Sequence, residues 1–306
     1  MGKHDMIITM NANGIQILGI YVRLLRVSQW LKNGFIFLPL VFAQKLGHVD
    51  DVRKAVIAFL SFSFMSSAIY IINDIHDREE DRFHPEKKNR PLASGAVKPP
   101  AAVLISFLLL AASLVLAGAL PQLFYAPLIA YLLMQALYTF WVKTQVILDV
   151  LFIAMGFLLR VIAGALCIGV AMSSWLLLCT FFLALFLAFC KRRHEIALEG
   201  ALAHRPVLEE YSPGFLDQLI TSCGATTMLC YALYAISQET VNKFHTHLLV
   251  LTLPFVVFGV YRYMYLTLAK NKGGNPSKVF FADLPFALNF IAWGIAAFVI
   301  VYWEKL

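Results

Sequence analysis

The chain has 306 residues, of which 60% are hydrophobic and 14% charged, and its formal net charge is +7. Soluble domains are about half apolar and about a quarter charged, so this composition excludes an ordinary soluble protein and indicates an integral membrane protein. The length suits one bundle of transmembrane helices and leaves no room for a separate soluble domain.

Apolar segments of about 20 residues, each long enough to cross the hydrocarbon as a helix, recur along the whole chain. Gly, Pro and charged residues separate them. We predict an all-α integral membrane protein whose single domain, 1–306, is a bundle of about nine transmembrane helices. The predicted spans lie near residues 20–45, 55–75, 100–119, 121–141, 147–169, 173–190, 215–236, 246–268 and 284–303.

The basic residues between the spans are unevenly distributed, which predicts the orientation. The connections after the second, fourth, sixth and eighth spans hold fourteen Lys and Arg residues, and the opposite connections hold four. The richer side should be cytoplasmic, with the N-terminus inside the plasma (inner) membrane and the C-terminus outside. This basic face could meet lipid headgroups or an anionic substrate, whereas nucleic acid fits poorly to loops packed among spans.

The second span ends in the acidic stretch "YIINDIHDREEDRFHPEKKNRPLASG", residues 70–95. Asp74, Asp77 and Asp81 are spaced i, i+3, i+7, so a continuing helix would place three carboxylates on one face. Oxygen ligands without His or Cys favour Mg²⁺, which commonly bridges carboxylates to substrate phosphates. The alternative is a solvated helix end whose acids pair with Arg78 and Arg82. We favour a site for a metal ion and a diphosphate.

Neighbouring side chains of the same stretch could bind further phosphate oxygens. Asn73 precedes the first aspartate, and Lys87 and Arg90 follow in the loop. Charge-assisted hydrogen bonds from such donors to phosphate are strong. We therefore count these three residues as candidates for substrate binding.

Arg160 lies well inside the fifth predicted span, in "VLFIAMGFLLRVIAGA". An unpaired charge at that depth costs at least about 3 kcal/mol, so Arg160 must face a partner or a polar cavity. Asp149 shares its helix face but lies about 16 Å away by helical rise, too far to pair. An ion pair with another span and a phosphate contact both stay open for Arg160, and a substrate cavity could run between the two residues.

Further polar candidates lie at span ends on the cytoplasmic side. Lys32, Tyr138 and Lys143 could contact substrate, although anchoring at the headgroups is the alternative explanation for such residues. Lys191 and Arg192 open a connection of about two dozen residues that is long enough to form a lid.

The acidic stretch "NDIHDREEDRFHPEKKNRP" resembles the N-D-x-x-D-x-x-x-D signature of the UbiA superfamily of intramembrane prenyltransferases. "QWLKNGFIFLPL", "LDVLFIAMGFLLRVIAGA" and "CKRRHEI" look similar to its branch of decaprenyl-phosphate phosphoribosyltransferases. The resemblance implies a UbiA-like bundle with a cytoplasm-facing polar cavity, capped by the loops at about 76–99 and 191–214. It also implies that Asp74, Asp77 and Asp81 are catalytic and bind Mg²⁺.

The connection after the sixth span departs from the common UbiA pattern. Ordinary members have a second aspartate-rich motif there, whereas this chain has Lys191, Arg192 and Arg193 and no aspartate before Asp217. Basic groups suit substrates that carry more phosphate. The resemblance thus implies transfer of 5-phosphoribosyl from phosphoribosyl pyrophosphate to a polyprenyl phosphate of the decaprenyl type.

Two other functions compete with this one. A UbiA-type prenyltransferase would move a polyprenyl group from its diphosphate to an aromatic acceptor. A multi-span transporter is disfavoured, because the polar residues collect at one membrane face and no matching pair of broken helices is evident. The polyprenyl chain length, the number of Mg²⁺ ions and the formation of a homo-oligomer stay open.

Overall fold

The computed structural model describes residues 18–83, 87–197, 206–274 and 276–303. These residues form helices and contain no strand. Eight helical segments are long and apolar enough to cross a membrane. The prediction of an all-α membrane bundle is confirmed, and the predicted number of nine spans is approximate.

The α-helices are α1 (Leu38–Phe42), α2 (Val49–His76), α3 (Arg78–Phe83), α4 (Pro99–Ala117), α5 (Tyr125–Phe140), α6 (Leu148–Cys167), α7 (Ser174–Ile196), α8 (Pro213–Ile236), α9 (Gln238–Phe244), α10 (Leu253–Leu268), α11 (Pro276–Ala282) and α12 (Leu284–Tyr302). Short 3-10 turns lie at Lys87–Asn89, Gln122–Phe124, Val142–Thr144, Pro206–Glu210 and Leu248–Thr252. The eight candidate spans contain α2, α4, α5, α6, α7, α8, α10 and α12.

The first predicted span, 20–45, is not a continuous α-helix, which corrects that expectation. Residues 18–24 are helical, Arg26 takes a left-handed conformation with φ 49°, and a 3-10 helix follows over Val27–Phe37 before α1. 3-10 helices longer than three or four residues are uncommon, because their hydrogen bonds are poorly aligned. The 3-10 segment, Val27–Phe37, therefore depends on contacts with neighbouring helices.

One row of the 3-10 segment packs against α2 and α6. Residues three apart eclipse one another in a 3-10 helix, so Trp30, Asn33 and Ile36 form one row. The Trp30 indole donates to the Ser67 hydroxyl at 2.9 Å, and the Asn33 amide donates to the Ser63 hydroxyl at 3.0 Å. Asn33 and Ile36 are fully buried. These hydrogen bonds and the buried side chains of this docking row stabilise the 3-10 segment, whose own backbone hydrogen bonds are poorly aligned.

The third contact of the docking row is a close approach of two backbones. A β-carbon at Gly164 of α6 would lie 2.1 Å from the Ile36 carbonyl oxygen, closer than any real contact of this kind. Only glycine fits at this position. The contact with Gly164 therefore holds the C-terminal end of the 3-10 segment against α6.

Small polar side chains also bring α2 and α4 together. The Ser61 hydroxyl donates to the Ser113 carbonyl at 2.9 Å, and the Ser113 hydroxyl donates to the Ser61 carbonyl at 2.8 Å. Small residues allow helices in membranes to approach closely, and hydrogen bonds between helices reinforce the contact. These two reciprocal hydrogen bonds set the distance between α2 and α4 in the part of α2 that precedes its acidic end.

The connections on the predicted cytoplasmic side differ from expectation in one respect. α7 continues to Ile196, so Lys191 and Arg192 belong to a helix and not to the loop predicted at 191–214. Residues 84–86 and 198–205, in the two loops predicted to cap the site, lie outside the described residues. The capping role of both loops stays a prediction.

We expect Gly164→Ala to destabilise the protein by about 1–3 kcal/mol, because the added methyl group overpacks a contact with a backbone carbonyl. Thermal unfolding of the purified protein in detergent measures this. Gly294→Ala in α12 is the matched control, since a β-carbon there meets nothing within 4 Å. Equal melting temperatures for Gly164→Ala and the wild type would contradict the assignment.

Candidate active site

Charged side chains gather where α2 ends. The Asp74 carboxylate accepts hydrogen bonds from the guanidinium groups of Arg26 and, at 3.0 Å, Arg90. The same Arg90 nitrogen donates to Asp81 at 2.6 Å, and the Lys87 ammonium lies 3.7 Å from Asp81. Both carboxylates are 3% exposed. Two buried acids therefore share one cationic group.

Asp77 lies apart from these two acids. It occupies the junction between α2 and α3, and its carboxylate pairs with Lys143 at 3.1 Å. The prediction that a continuing helix places all three carboxylates on one face is therefore only partly right: α2 ends at His76. Beside it, Thr139 of α5 donates to the Asn73 amide oxygen at 2.5 Å. The acidic stretch thus contacts Arg26, which immediately precedes the 3-10 segment, and the end of α5.

The chemistry of these donors suits Mg²⁺, because Asp74 and Asp81 present carboxylate oxygens to one shared cationic group and Asp77 lies between them in sequence. Among the described residues, no three acids, histidines or cysteines form a ready cluster around a metal position. Arg90 bridges the carboxylates instead. The metal-binding role of the three aspartates stays a prediction.

Arg160 of α6 is 5% exposed, as its depth in the sequence predicts. Its guanidinium donates to the Asn33 side-chain oxygen at 2.7 Å, the Gly156 carbonyl at 2.6 Å and the Tyr131 hydroxyl at 3.0 Å. It also lies 4.7 Å from the centre of the Tyr131 ring, a favourable cation–π contact. Within the described chain no carboxylate pairs with it. The ion-pair alternative for Arg160 is thus wrong, and the phosphate contact stays a prediction.

Asp149 and Arg192 form a buried ion pair between α6 and α7. The Arg192 guanidinium donates to Asp149 at 2.7 Å and to Glu195 at 2.7 Å. The Tyr211 hydroxyl donates to the other Asp149 oxygen at 2.8 Å. Burial and the Asp149 charge raise the pKa of Tyr211, so this phenol stays protonated as a donor. The side chains of Arg192 and Asp149 are 1% and 0% exposed.

The remaining predicted residues occupy different surroundings. Lys191 is 47% exposed and lies 3.6 Å from Glu195, and Tyr138 is half-buried close to Arg192. Lys32 is exposed on the 3-10 segment. The structure therefore divides the candidates into three sets: those around Asp74, those around Asp149, and Lys32 and Arg160, which pair with no carboxylate among the described residues.

Sequence reasoning missed some contributors to these groups. Arg26 lies near the cytoplasmic entry of the first predicted span, where a basic side chain usually anchors at the headgroups, yet it contacts Asp74. Tyr131 and Thr139 of α5 and Tyr211, which precedes α8, contribute hydroxyl groups, and nothing local in the sequence marks them. Their hydrogen-bond partners lie 29, 66 and 62 residues away in sequence, so only the fold brings them together.

Comparisons with known proteins identify relatives that cover most of the chain. The model of the UbiA prenyltransferase family matches residues 35–291. The decaprenyl-phosphate phosphoribosyltransferase of Mycolicibacterium smegmatis is 32% identical over 286 residues, 89% of each chain. The protein of the same name from Corynebacterium glutamicum is 32% identical over 290 residues, 92% of this chain and 86% of the relative.

Solved structures show the same fold. A UbiA homologue from Archaeoglobus fulgidus bound to DMAPP and Mg²⁺ superposes with a TM-score of 0.71 at 20% identity, over 92% of this chain and 98% of the other. The same homologue bound to GPP and Mg²⁺ also gives 0.71. Taken with the family match over most of the sequence, these findings show that this multi-pass membrane protein belongs to the UbiA prenyltransferase family.

Proposed function

We propose that this enzyme transfers the 5-phosphoribosyl group of phosphoribosyl pyrophosphate to a polyprenyl phosphate of the decaprenyl type and releases pyrophosphate. The observation that carries the proposal is the identity of 32% with relatives named for this transfer, over 89–92% of the chain. The similarity covers nearly the whole bundle and is not confined to the acidic stretch shared by the wider family.

The charges of the site support these substrates. Arg26, Arg90 and Lys143 pair with the carboxylates of Asp74 and Asp77. Lys32 and Arg160 add positive charge that no carboxylate among the described residues offsets. A phosphoribosyl donor brings a diphosphate and a 5-phosphate, and the lipid brings another phosphate. A prenyl diphosphate and a neutral acceptor bring one diphosphate. Cations in this number match the larger phosphate load.

Asp74 and Asp77, with Asp81 assisting, would hold Mg²⁺ against the pyrophosphate of the donor. When bound, the ion would neutralise the charge that develops on the leaving pyrophosphate. Arg26 and Arg90, which contact Asp74 in this structure, would then be able to donate to phosphate oxygens. The acidic stretch thus binds the leaving group and orients the donor.

The reaction is a displacement at the anomeric carbon. An oxygen of the lipid phosphate forms the new bond to that carbon, the bond to pyrophosphate breaks, and pyrophosphate leaves with the electron pair. The attacking oxygen is already anionic, so no strong general base is needed. Positioning of the two substrates and neutralisation of their phosphates supply most of the rate enhancement.

The distribution of basic residues supports a site on the cytoplasmic side of the plasma (inner) membrane. Lys87, Arg90 and Lys143 belong to the basic connections and also contact the acidic group. The N-terminus then lies inside and the C-terminus outside, and the polyprenyl tail enters the bilayer between spans.

A direct comparison of two reactions tests the proposed function. We expect purified protein with Mg²⁺ to form phosphoribosylated lipid from labelled phosphoribosyl pyrophosphate and polyprenyl phosphate. The parallel reaction contains polyprenyl diphosphate and hydroxybenzoate, because membership of the family makes prenyl transfer the second candidate. Product in the second reaction alone would reverse the assignment.

We expect Asp74→Asn and Asp77→Asn each to lower turnover at least about 100-fold, since each removes a charge from the predicted metal and diphosphate site. Initial rates at saturating substrate measure this loss. Glu80→Gln is the matched control, because Glu80 is an exposed carboxylate of the same stretch. Wild-type rates in either aspartate variant would refute the assignment.

We expect Arg192→Met to destabilise the protein by about 3–5 kcal/mol, because it leaves the Asp149 charge buried without its partner. Thermal unfolding in detergent measures the loss. The double variant Asp149→Asn/Arg192→Met should recover much of the stability. A stable Arg192→Met protein with a raised KM for a phosphate-bearing substrate would instead support the phosphate contact predicted from the sequence.

A further inference from the structure

The 3-10 segment presents a second row of side chains. Gln29, Lys32 and Phe35 are three residues apart, so the 3-10 geometry eclipses them along one line. The docking row of Trp30, Asn33 and Ile36 contacts α2 and α6, and this second row lies on a different face of the segment, from which Phe35 also reaches α6. In an α-helix, residues three apart would be rotated by about 60° at each step, and the alignment would be lost.

Lys32, in the middle of the second row, has no hydrogen-bond or ion-pair partner among the described residues. Its side chain is exposed, and the charged groups that act on it most strongly are the guanidinium groups of Arg160 and Arg26, which repel the ammonium. Arg26 is paired with Asp74, whereas no carboxylate among the described residues offsets the charge of Arg160. An accessible ammonium beside a positive charge that no acid neutralises favours the binding of an anion.

The surroundings of the second row change from polar to apolar along its length. Before its first member, Gln29, the chain contacts the acidic stretch through the ion pair of Arg26 with Asp74. At its inner end, the Phe35 ring packs edge-to-face on Phe157 of α6, with ring centres 4.9 Å apart. Lys32 lies between these ends. A ligand with an anionic head and an apolar tail fits this order, whereas a free phosphorylated sugar is polar along its whole length.

We propose that Lys32 binds the phosphate group of the polyprenyl phosphate acceptor, with Gln29 as a neighbouring donor and Phe35 beside the first isoprenyl units. This assignment rests on the proposed function and gives Lys32 to the lipid substrate, not to the 5-phosphate of the donor. The diphosphate of the donor occupies the Asp74 end of the row. The two substrates therefore meet along one face of the 3-10 segment.

The test measures binding of each substrate separately to the purified full-length protein in detergent. The probes are a short-chain polyprenyl phosphate, the uncharged polyprenol of equal length, and phosphoribosyl pyrophosphate with Mg²⁺. In Lys32→Met we expect polyprenyl phosphate to bind about 10-fold more weakly or worse, as for loss of a charge-assisted hydrogen bond. Binding of polyprenol and of phosphoribosyl pyrophosphate should change less than about twofold.

Two controls accompany this variant. Lys54→Met makes the same chemical change at the opposite end of α2, where Lys54 pairs with Asp50 on the surface, and should leave all three affinities unchanged. Lys32→Arg keeps the charge and should retain most of the preference for polyprenyl phosphate over polyprenol.

Weaker binding of phosphoribosyl pyrophosphate alone would assign Lys32 to the donor and overturn the proposal. Unchanged binding of all probes would overturn it too. If the wild type binds polyprenyl phosphate through Lys32 but forms no phosphoribosylated lipid, the proposed function fails while the lipid subsite stands. The two hypotheses are thus separable.

Discussion

The buried carboxylate of Asp74 constrains the rest of the site. At 3% exposure it requires cationic partners, and it finds them in Arg26 and Arg90, which come from opposite sides in sequence. Arg90 also forms an ion pair with Asp81, and Arg26 immediately precedes the 3-10 segment. One desolvated charge therefore determines where the acidic stretch, the loop after it and the first membrane segment lie relative to one another.

Two buried arginines deeper in the bundle also need partners, and their partners differ in charge. Arg160 is satisfied by neutral oxygen atoms and an aromatic ring, whereas Arg192 is neutralised by Asp149. The difference matters for function. A guanidinium already paired with a buried acid contributes mainly to stability, whereas positive charge that no acid offsets favours the binding of anions. As far as the described residues show, Lys32 and Arg160 belong to the second kind.

The spans were predictable because long apolar segments leave few alternatives in a membrane. The first span was not, because an apolar composition does not distinguish an α-helix from a 3-10 segment supported by Trp30, Asn33 and Gly164. A local motif predicted that Asp74 and Asp81 lie on one helix face. It did not predict that Arg90 bridges them, because the end of α2 at His76 leaves no mark in the spacing. The pairing of Asp149 with Arg192, 43 residues apart, depends on how α6 and α7 pack, and no spacing in the sequence encodes it.

Both ends of the 3-10 segment are fixed, by the ion pair of Arg26 with Asp74 and by the backbone contact of Ile36 with Gly164. A 3-10 helix rises about 2 Å per residue, so Val27 at its start and Lys32 lie about 10 Å apart along its axis. In the proposed arrangement the segment would act as a rigid spacer between the two substrates. Its length, and not the flexibility of either substrate, would determine how far apart a diphosphate and a lipid phosphate are held while a sugar lies between them.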